Sequence, residues 1–435
     1  NILWITALAL GWLLDLLFWD HTPGINFAIY VVLCLVGGFL VLTWNGIKPA
    51  WKSLLLLVPI LFFAVMSFIR REPLSVFLSI VIPLTLLGVL TVTYLAGKWM
   101  KYSLADYVAN AFKLAGSLLA RPFIFLSGQK KEAGEKTAET GTVRKTYWKR
   151  TWAVLRGLLI ALPIVAIFAG LLSSADLVFA NRLEEFIQLF RLERLPEYIF
   201  RGIYILAAAY ALAGAILHAG LKSQDEKLIG VEKPLIPAFL GFTEASIVLG
   251  AVNVLFLLFV IIQFQYFFGG QTNIGVEGYT YAEYARKGFS ELVAVAVFST
   301  LLFLGLSGIV KRQTRTERWV FSALGLLLVA LVGVMLVSAF QRLILYETAY
   351  GFTRLRTYTH IFMIWLGALL AVVVVLDLLH KERAIALAMA MAALGFTATL
   401  TIVNVDDFIV RQNINRAVQG EELDVAHLAS LSNDA

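Results

Sequence analysis

Apolar runs about as long as a bilayer is thick recur along this chain, and they limit what it can fold into more than any other feature. They fall at Ile2–Phe18, Ile25–Thr43, Leu54–Ile69, Leu74–Tyr94, Trp152–Ser173, Gly202–Gly220, Phe242–Phe264, Leu292–Val310, Val320–Phe340, Ile361–His380 and Ala384–Val403. A helix needs about 20 predominantly apolar residues to cross the hydrocarbon core. Within that core the backbone must satisfy its own hydrogen bonds, which a helix does. The pattern predicts an all-α, polytopic transmembrane helix bundle of about eleven spans with interfacial amphipathic helices. Composition agrees: 60% of the 435 residues are hydrophobic and 15% charged, against about 25% charged in soluble domains. An ordinary soluble enzyme and a disordered protein are thereby excluded. Cys34, the single cysteine, excludes a disulfide scaffold and a cysteine metal site.

Basic residues set the expected orientation. Loops 44–53, 97–151, 221–238, 311–318 and 381–383 hold 22 Lys and Arg, and the alternate loops hold 13. Cytoplasmic loops carry the excess, so the N-terminus is expected inside and the C-terminus outside. The same distribution, in loops rather than in a basic stripe, argues against nucleic acid as the partner of a chain with net charge +7. Membrane lipids are the expected partners, with another membrane or envelope protein as a further one. Because the chain opens on Asn1, sequence is expected ahead of it. Ile2–Phe18 contains Asp15 and lacks a cleavage site, and it reads as a retained span.

Two amphipathic pieces stand outside the spans. Ser103–Leu126 carries Asp106, Lys113 and Arg121 against an apolar side, with Pro122 inside it, and is expected to lie in the interface plane. Ser127–Thr151, poor in apolar residues, is expected to be a mobile basic loop. Asn181–Arg201 is the second amphipathic piece. The chain thus divides into an N-terminal four-span unit (1–96), a cytoplasmic amphipathic and basic segment (97–151), a seven-span core (152–403) and an extracytoplasmic tail (404–435).

No HExxH, GxGxxG, P-loop, GxSxG or paired-cysteine pattern occurs, and the five histidines are scattered. No metal or cofactor is expected. Small residues at Ala207, Ala211, Ala215 and Ala219, and at Ala384, Ala388 and Ala392, mark helix-packing faces. Ionisable groups near membrane depth are functional candidates. Asp15 and Asp377 read as interface residues or ion-pair partners, whereas Glu244, Asn253 and Gln263 are candidates for an intramembrane polar stripe. The densest polar constellation lies in the outer loops. There Asp176, Glu283, Arg286, Glu291, Glu347 and Arg354 are expected to form a cluster, with Glu283, Arg286, Glu291, Glu347 and Arg354 in one hydrogen-bonded network.

The stretch TYAEYARKGFSELVAVA (Thr280–Ala296) resembles the signature of an uncharacterised bacterial polytopic membrane family, of the domain-of-unknown-function 4173/4153 type. The resemblance extends to Ser173–Ala180, Glu244–Gly270, Arg342–Tyr358 and the tail Leu423–Ala435, covering most of the chain from about residue 150. It implies a protein of the bacterial cytoplasmic membrane and carries no established reaction. The leading expectation is a non-enzymatic scaffold, sensor or membrane-complex subunit with a polar extracytoplasmic surface. A secondary transporter with a polar midplane cavity and an enzyme acting on a lipid-linked envelope substrate are the alternatives.

Overall fold

A computed structural model describes residues 2–139, 195–223, 239–268, 289–381 and 383–432, with scattered positions between 161 and 182 and residue 228. Its helices are α1 (Ile2–Phe18), α2 (Ile25–Trp44), α3 (Trp51–Leu54), α4 (Leu57–Ile69), α5 (Pro73–Thr93), α6 (Leu104–Glu139), α7 (Leu195–Leu221), α8 (Phe242–Phe268), α9 (Phe289–Ile309), α10 (Arg315–Tyr350), α11 (Arg354–Leu378), α12 (Ala384–Val403), α13 (Val405–Val418) and α14 (Val425–Ala429). Among the described residues no strand occurs. Nine helical segments there are long and apolar enough to cross a membrane, and α1 is apolar but shorter. The protein is an all-α polytopic membrane bundle. Ten predicted runs coincide with helices, while Trp152–Ser173 lies almost wholly outside the described residues.

Three expectations need correction. The apolar pattern ends a span at Phe340, but α10 runs on to Tyr350. At 36 residues it is about 54 Å long, well beyond a hydrocarbon core of about 30 Å. Arg342, Tyr346 and Glu347 therefore sit on helix rather than loop. Second, α6 continues through Pro122 to Glu139, so residues 127–139 are helical and not a loop, because Lys, Glu, Gln and Ala propagate a helix without burying a core. Third, Leu195–Arg201 is the opening of α7 and continuous with the span that follows; residues 183–194 lie outside the described residues.

The described chain divides into two compact units: residues 1–20 with 115–218, and residues 21–114 with 219–435. In the first, α1 meets α7. Asp15 is buried and accepts from Arg201 Nε at 3.0 Å and Nη2 at 2.6 Å, with the guanidinium 5.0 Å from the Trp19 ring. The ion-pair reading of Asp15 holds. Of the predicted small-residue face of α7, Ala219 is buried, Ala211 and Ala215 are half-buried and Ala207 is exposed, while Ala209 and Ala213 on a neighbouring face are buried. At Gly214 a Cβ would lie 2.7 Å from the Leu118 Cα and carbonyl oxygen, so only glycine lets the backbones of α6 and α7 cross this closely.

In the second unit α10 is the central post. Its buried Phe321, Leu328, Met335 and Leu343 pack with Leu249 of α8, Phe303 of α9 and Met363 of α11 in one apolar core. From there α11 packs on α12, α12 on α5, α5 on α4 and α4 on α2. α10 starts on a full capping box, in which the Thr314 hydroxyl accepts from Glu317 N–H and the Glu317 carboxylate accepts from Thr314 N–H.

Substituting Gly214 by Ala is expected to lower thermal stability in detergent by about 1–3 kcal/mol, through forced separation of α6 and α7. Gly250→Ala on α8, where nothing lies within 4 Å of the added methyl, should be neutral or stabilising by up to about 1 kcal/mol. Equal melting shifts for the two variants would discard the crossing argument.

Candidate functional site

The polar groups of the second unit gather at the two ends of α11. Arg354 opens that helix and Asp377 lies 23 residues on, about 35 Å along the axis. That separation is close to one hydrocarbon thickness.

At the Asp377 end, Ser322 Oγ donates to Asp377 Oδ2 at 2.7 Å, and Arg312 Nη1 lies 3.5 Å from Oδ1. Arg312 also donates to the Ser307 carbonyl at 2.7 Å and sits 4.6 Å from the centre of the Phe321 ring. Asp377 is thus an ion-pair partner that ties α10 to α11, as one reading of the sequence expects.

The Arg354 end is denser and draws in the tail. Left-handed Asn404 (φ 55°) separates α12 from α13; its short polar side chain tolerates that conformation better than most residues. α13 then lays Val405, Asp406, Ile409 and Asn413 against the bundle, positions that share one helical face. Val405 and Ile409 join Ile361 and Leu400 in a small apolar cluster, flanked by Leu74, Phe352, Tyr358, Leu428 and Leu431. The tail is a folded cap on its own bundle.

Polar contacts fix the cap. Asp406 is fully buried (0% exposed) and receives Arg354 Nε at 2.7 Å and Nη2 at 2.6 Å, a fork-on-carboxylate pair. Ser432 adds its N–H at 2.9 Å and its hydroxyl. Burial opposes ionisation of Asp406, but these hydrogen bonds outweigh it and hold its carboxyl below the ordinary range. Asn413 bonds both backbone groups of one residue, accepting from Phe352 N–H at 2.8 Å and donating to Phe352 C=O at 3.0 Å. Gly351, between α10 and α11, has φ 78°, and a Cβ there would lie 2.6 Å from Asn413 Oδ1. Glycine is required here both for backbone and for space. Glu72 is 1% exposed and caps α5 through the N–H groups of Leu74 and Ser75 at 2.8 and 2.7 Å, and it accepts from the Tyr358 hydroxyl. Arg70 donates to the Thr401 carbonyl at 2.5 Å, which ties α4 to the end of α12.

The predicted outer cluster is rearranged. Arg354 reaches Asp406, a tail residue outside the predicted set. Glu347 is buried with Oε2 3.3 Å from His360 Nδ1, and the His360 ring lies tilted against Phe340 with centroids 4.4 Å apart. Glu291 is exposed at the start of α9. Asp176 is also exposed, and its carboxylate accepts from Phe179 N–H at 3.4 Å. Glu283 and Arg286 lie outside the described residues. The predicted intramembrane stripe loses its charged member. Glu244 is exposed and accepts from Gly241 N–H at 2.7 Å, a role at the first turn of α8 and not in the bundle. Asn253 and Gln263 are buried on α8, where Asn253 Nδ2 donates to the Leu324 carbonyl at 3.0 Å.

Glu72, Asp406, Asn413 and Ser432 were not singled out by the sequence pattern. A signal existed: Glu before Pro at a helix start is a cap pattern, and Val405, Ile409 and Asn413 recur at helical spacing.

The family profile described as a domain of unknown function (DUF4153) matches residues 57–435. The chain belongs to the DUF4153 family. The match begins well ahead of residue 150, so the DUF4153 region takes in α4, α5 and Glu72 as well as the cap. No curated protein and no solved structure matches the chain.

The Arg354–Asp406 pair generates a pH prediction. Because the folded pKa of Asp406 is lowered, its stabilisation is whole above the ordinary carboxylate pKa of about 4 and is lost as pH falls through the native value. Asp406→Asn at pH 7 should lower stability by roughly 2–4 kcal/mol, less than for a wholly buried pair because Arg354 keeps 27% of its side chain exposed. Adding Arg354→Gln should recover part of the loss. In detergent melts, the gap between wild type and Asp406→Asn should close below pH 4; a gap constant from pH 7 to pH 3 would show that the charge plays no part.

Proposed function

We propose that this DUF4153 protein is a non-enzymatic scaffold, sensor or complex subunit of the bacterial cytoplasmic membrane, and that it docks another membrane or envelope protein on its tail cap. The observation that carries the reading is the outward side of the cap. Val418 (82% exposed) and Val425 (65%) stand there beside Leu423, among Glu421, Glu422 and Asp424. Exposed apolar side chains in a polar rim suit a protein contact, and the acidic rim disfavours an anionic lipid surface. The charges beneath are committed to architecture: Asp406 to Arg354, Glu72 to the start of α5, Asn413 to the turn at Phe352. Paired buried charges fix geometry more than they add stability, which suits a rigid docking platform.

The excess of Lys and Arg in loops 44–53, 97–151, 221–238, 311–318 and 381–383 supports that end inside and the cap outside. The transporter alternative retains buried Asn253 and Gln263 on α8 but lacks a charged member now that Glu244 caps a helix end. The lipid-linked-substrate alternative loses Arg354 to a structural partner, Asp406.

A photo-crosslinking residue at Val418 and another at Val425, in intact cells, should trap the same discrete heterologous protein. Asp406→Asn, by loosening the cap, should reduce both adducts together. A cysteine at Ser430, with Cys34 replaced, should label with an impermeant thiol reagent while one at Gly134 should not. Adducts only to lipid or to a second copy, or labelling at 134 alone, would overturn the reading.

A further inference from the structure

One feature of the second unit that the cap does not explain is an apolar cavity of about 1050 Å³ between α4, α5 and α12, with Trp99, Leu104 and Tyr107 at one end. It lies at the upper limit of small-molecule pockets, about 300–1,000 Å³. Its polar atoms are already engaged. Thr85 Oγ1 donates to the Val81 carbonyl at 2.8 Å, Trp99 Nε1 to the Lys52 carbonyl at 2.8 Å, Tyr107 Oη to the Trp99 carbonyl at 2.8 Å and Trp365 Nε1 to Thr399 Oγ1 at 3.1 Å. A polar solute or a water cluster finds no partner in such a wall, so the part of an occupant that lies inside the cavity is apolar.

The length of the cavity narrows the occupant. On α12 it runs from Ala386 to Ala398, about 18 Å along the axis. Half of a hydrocarbon core is about 15 Å, so the cavity spans one leaflet. It begins at the α4 start and α5 end, the lysine-rich end of the unit. Charge narrows it further. Lys52, Lys98 and Lys101 flank Trp99, with Lys52 and Lys101 exposed. The one acid in segments 48–56 and 94–107 is Asp106, which accepts from Ser103 N–H and Oγ at the start of α6. A cation rim over an apolar slot one leaflet deep is complementary to an anionic headgroup over acyl chains.

We propose that this cavity holds one anionic glycerophospholipid drawn from the surrounding membrane, its acyl chains between α4, α5 and α12 and its phosphate at Lys52 and Lys101. Small side chains keep the slot open, notably Ala386, Ala390 and Ala398. Two lysines at about 1 kcal/mol each give an expected preference for an anionic over a zwitterionic lipid of about tenfold to thirtyfold.

The test is native mass spectrometry of the full chain, delipidated in detergent and then titrated with phosphatidylglycerol or phosphatidylcholine of identical acyl chains. Wild type should retain one phosphatidylglycerol with the stated preference. Ala390→Trp should abolish retention of both lipids by filling the slot, and Ala390→Leu, a milder plug, provides the same reading where the larger ring prevents folding. Lys52→Gln with Lys101→Gln should keep acyl binding and bring the two lipids to equal affinity. Undiminished retention in both Ala390 variants, or no preference in wild type, would overturn the proposal.

Discussion

A charge inside hydrocarbon is so costly that it must be carried to the end of a helix or given a partner, and the second unit of this protein is organised by that rule. In lipid, helices are not driven together by the hydrophobic effect, since lipid tails are as apolar as leucine. Packing of small and branched side chains holds α8, α9, α10 and α11 in contact, but packing alone leaves rotation and sliding poorly fixed. The fixed points are polar. Asp377 joins α11 to α10 at one end, and Arg354 joins it to the tail at the other. Because the two lie about one hydrocarbon thickness apart, α11 is held at both interfaces.

The cap shows how a membrane protein uses its few polar contacts. Asp406 and Glu72 are both buried, and each serves two segments at once. Asp406 takes Arg354 from the start of α11 and Ser432 from the end of the described tail. Glu72 caps α5 and receives Tyr358 from α11. Each carboxylate has its charge met by several donors, which is the condition under which a buried charge is tolerated. Charges committed in this way are poor candidates for acid–base chemistry and good ones for holding a surface in shape.

Hydropathy made the spans legible because it reads the same quantity that the bilayer selects. It could not read what happens beyond the hydrocarbon. α10 leaves the apolar slab near Phe340 and stays helical to Tyr350, since a helix needs no lipid to continue once begun. Residues 127–139 are helical by propensity, and their sequence holds too few apolar residues for a periodicity to reveal the helix. The choice of partner was hidden for a different reason. Arg354 had several acids within plausible reach in sequence, and the one it uses is 52 residues away across a left-handed turn at Asn404. Charge spacing along a chain states that partners are needed, and the tertiary path states which. At Gly214 likewise, the small residue was visible but its register was not, because neighbouring faces of α7 are almost equally small.

The place of the cap in the chain has a consequence for biogenesis. Glu72 and Arg354 are synthesised before Asp406, Asn413 and Ser432, and chains fold as they emerge, N-terminal segments first. Until Asp406 and Asn413 arrive, Arg354 lacks the carboxylate it pairs with and the turn at Gly351 lacks the amide that clasps Phe352 on both sides. The segment that follows α12 therefore works as a seal on the helices made before it. A chain interrupted after α12 keeps its membrane helices yet leaves the Arg354 guanidinium without the carboxylate that it grips with two of its nitrogens.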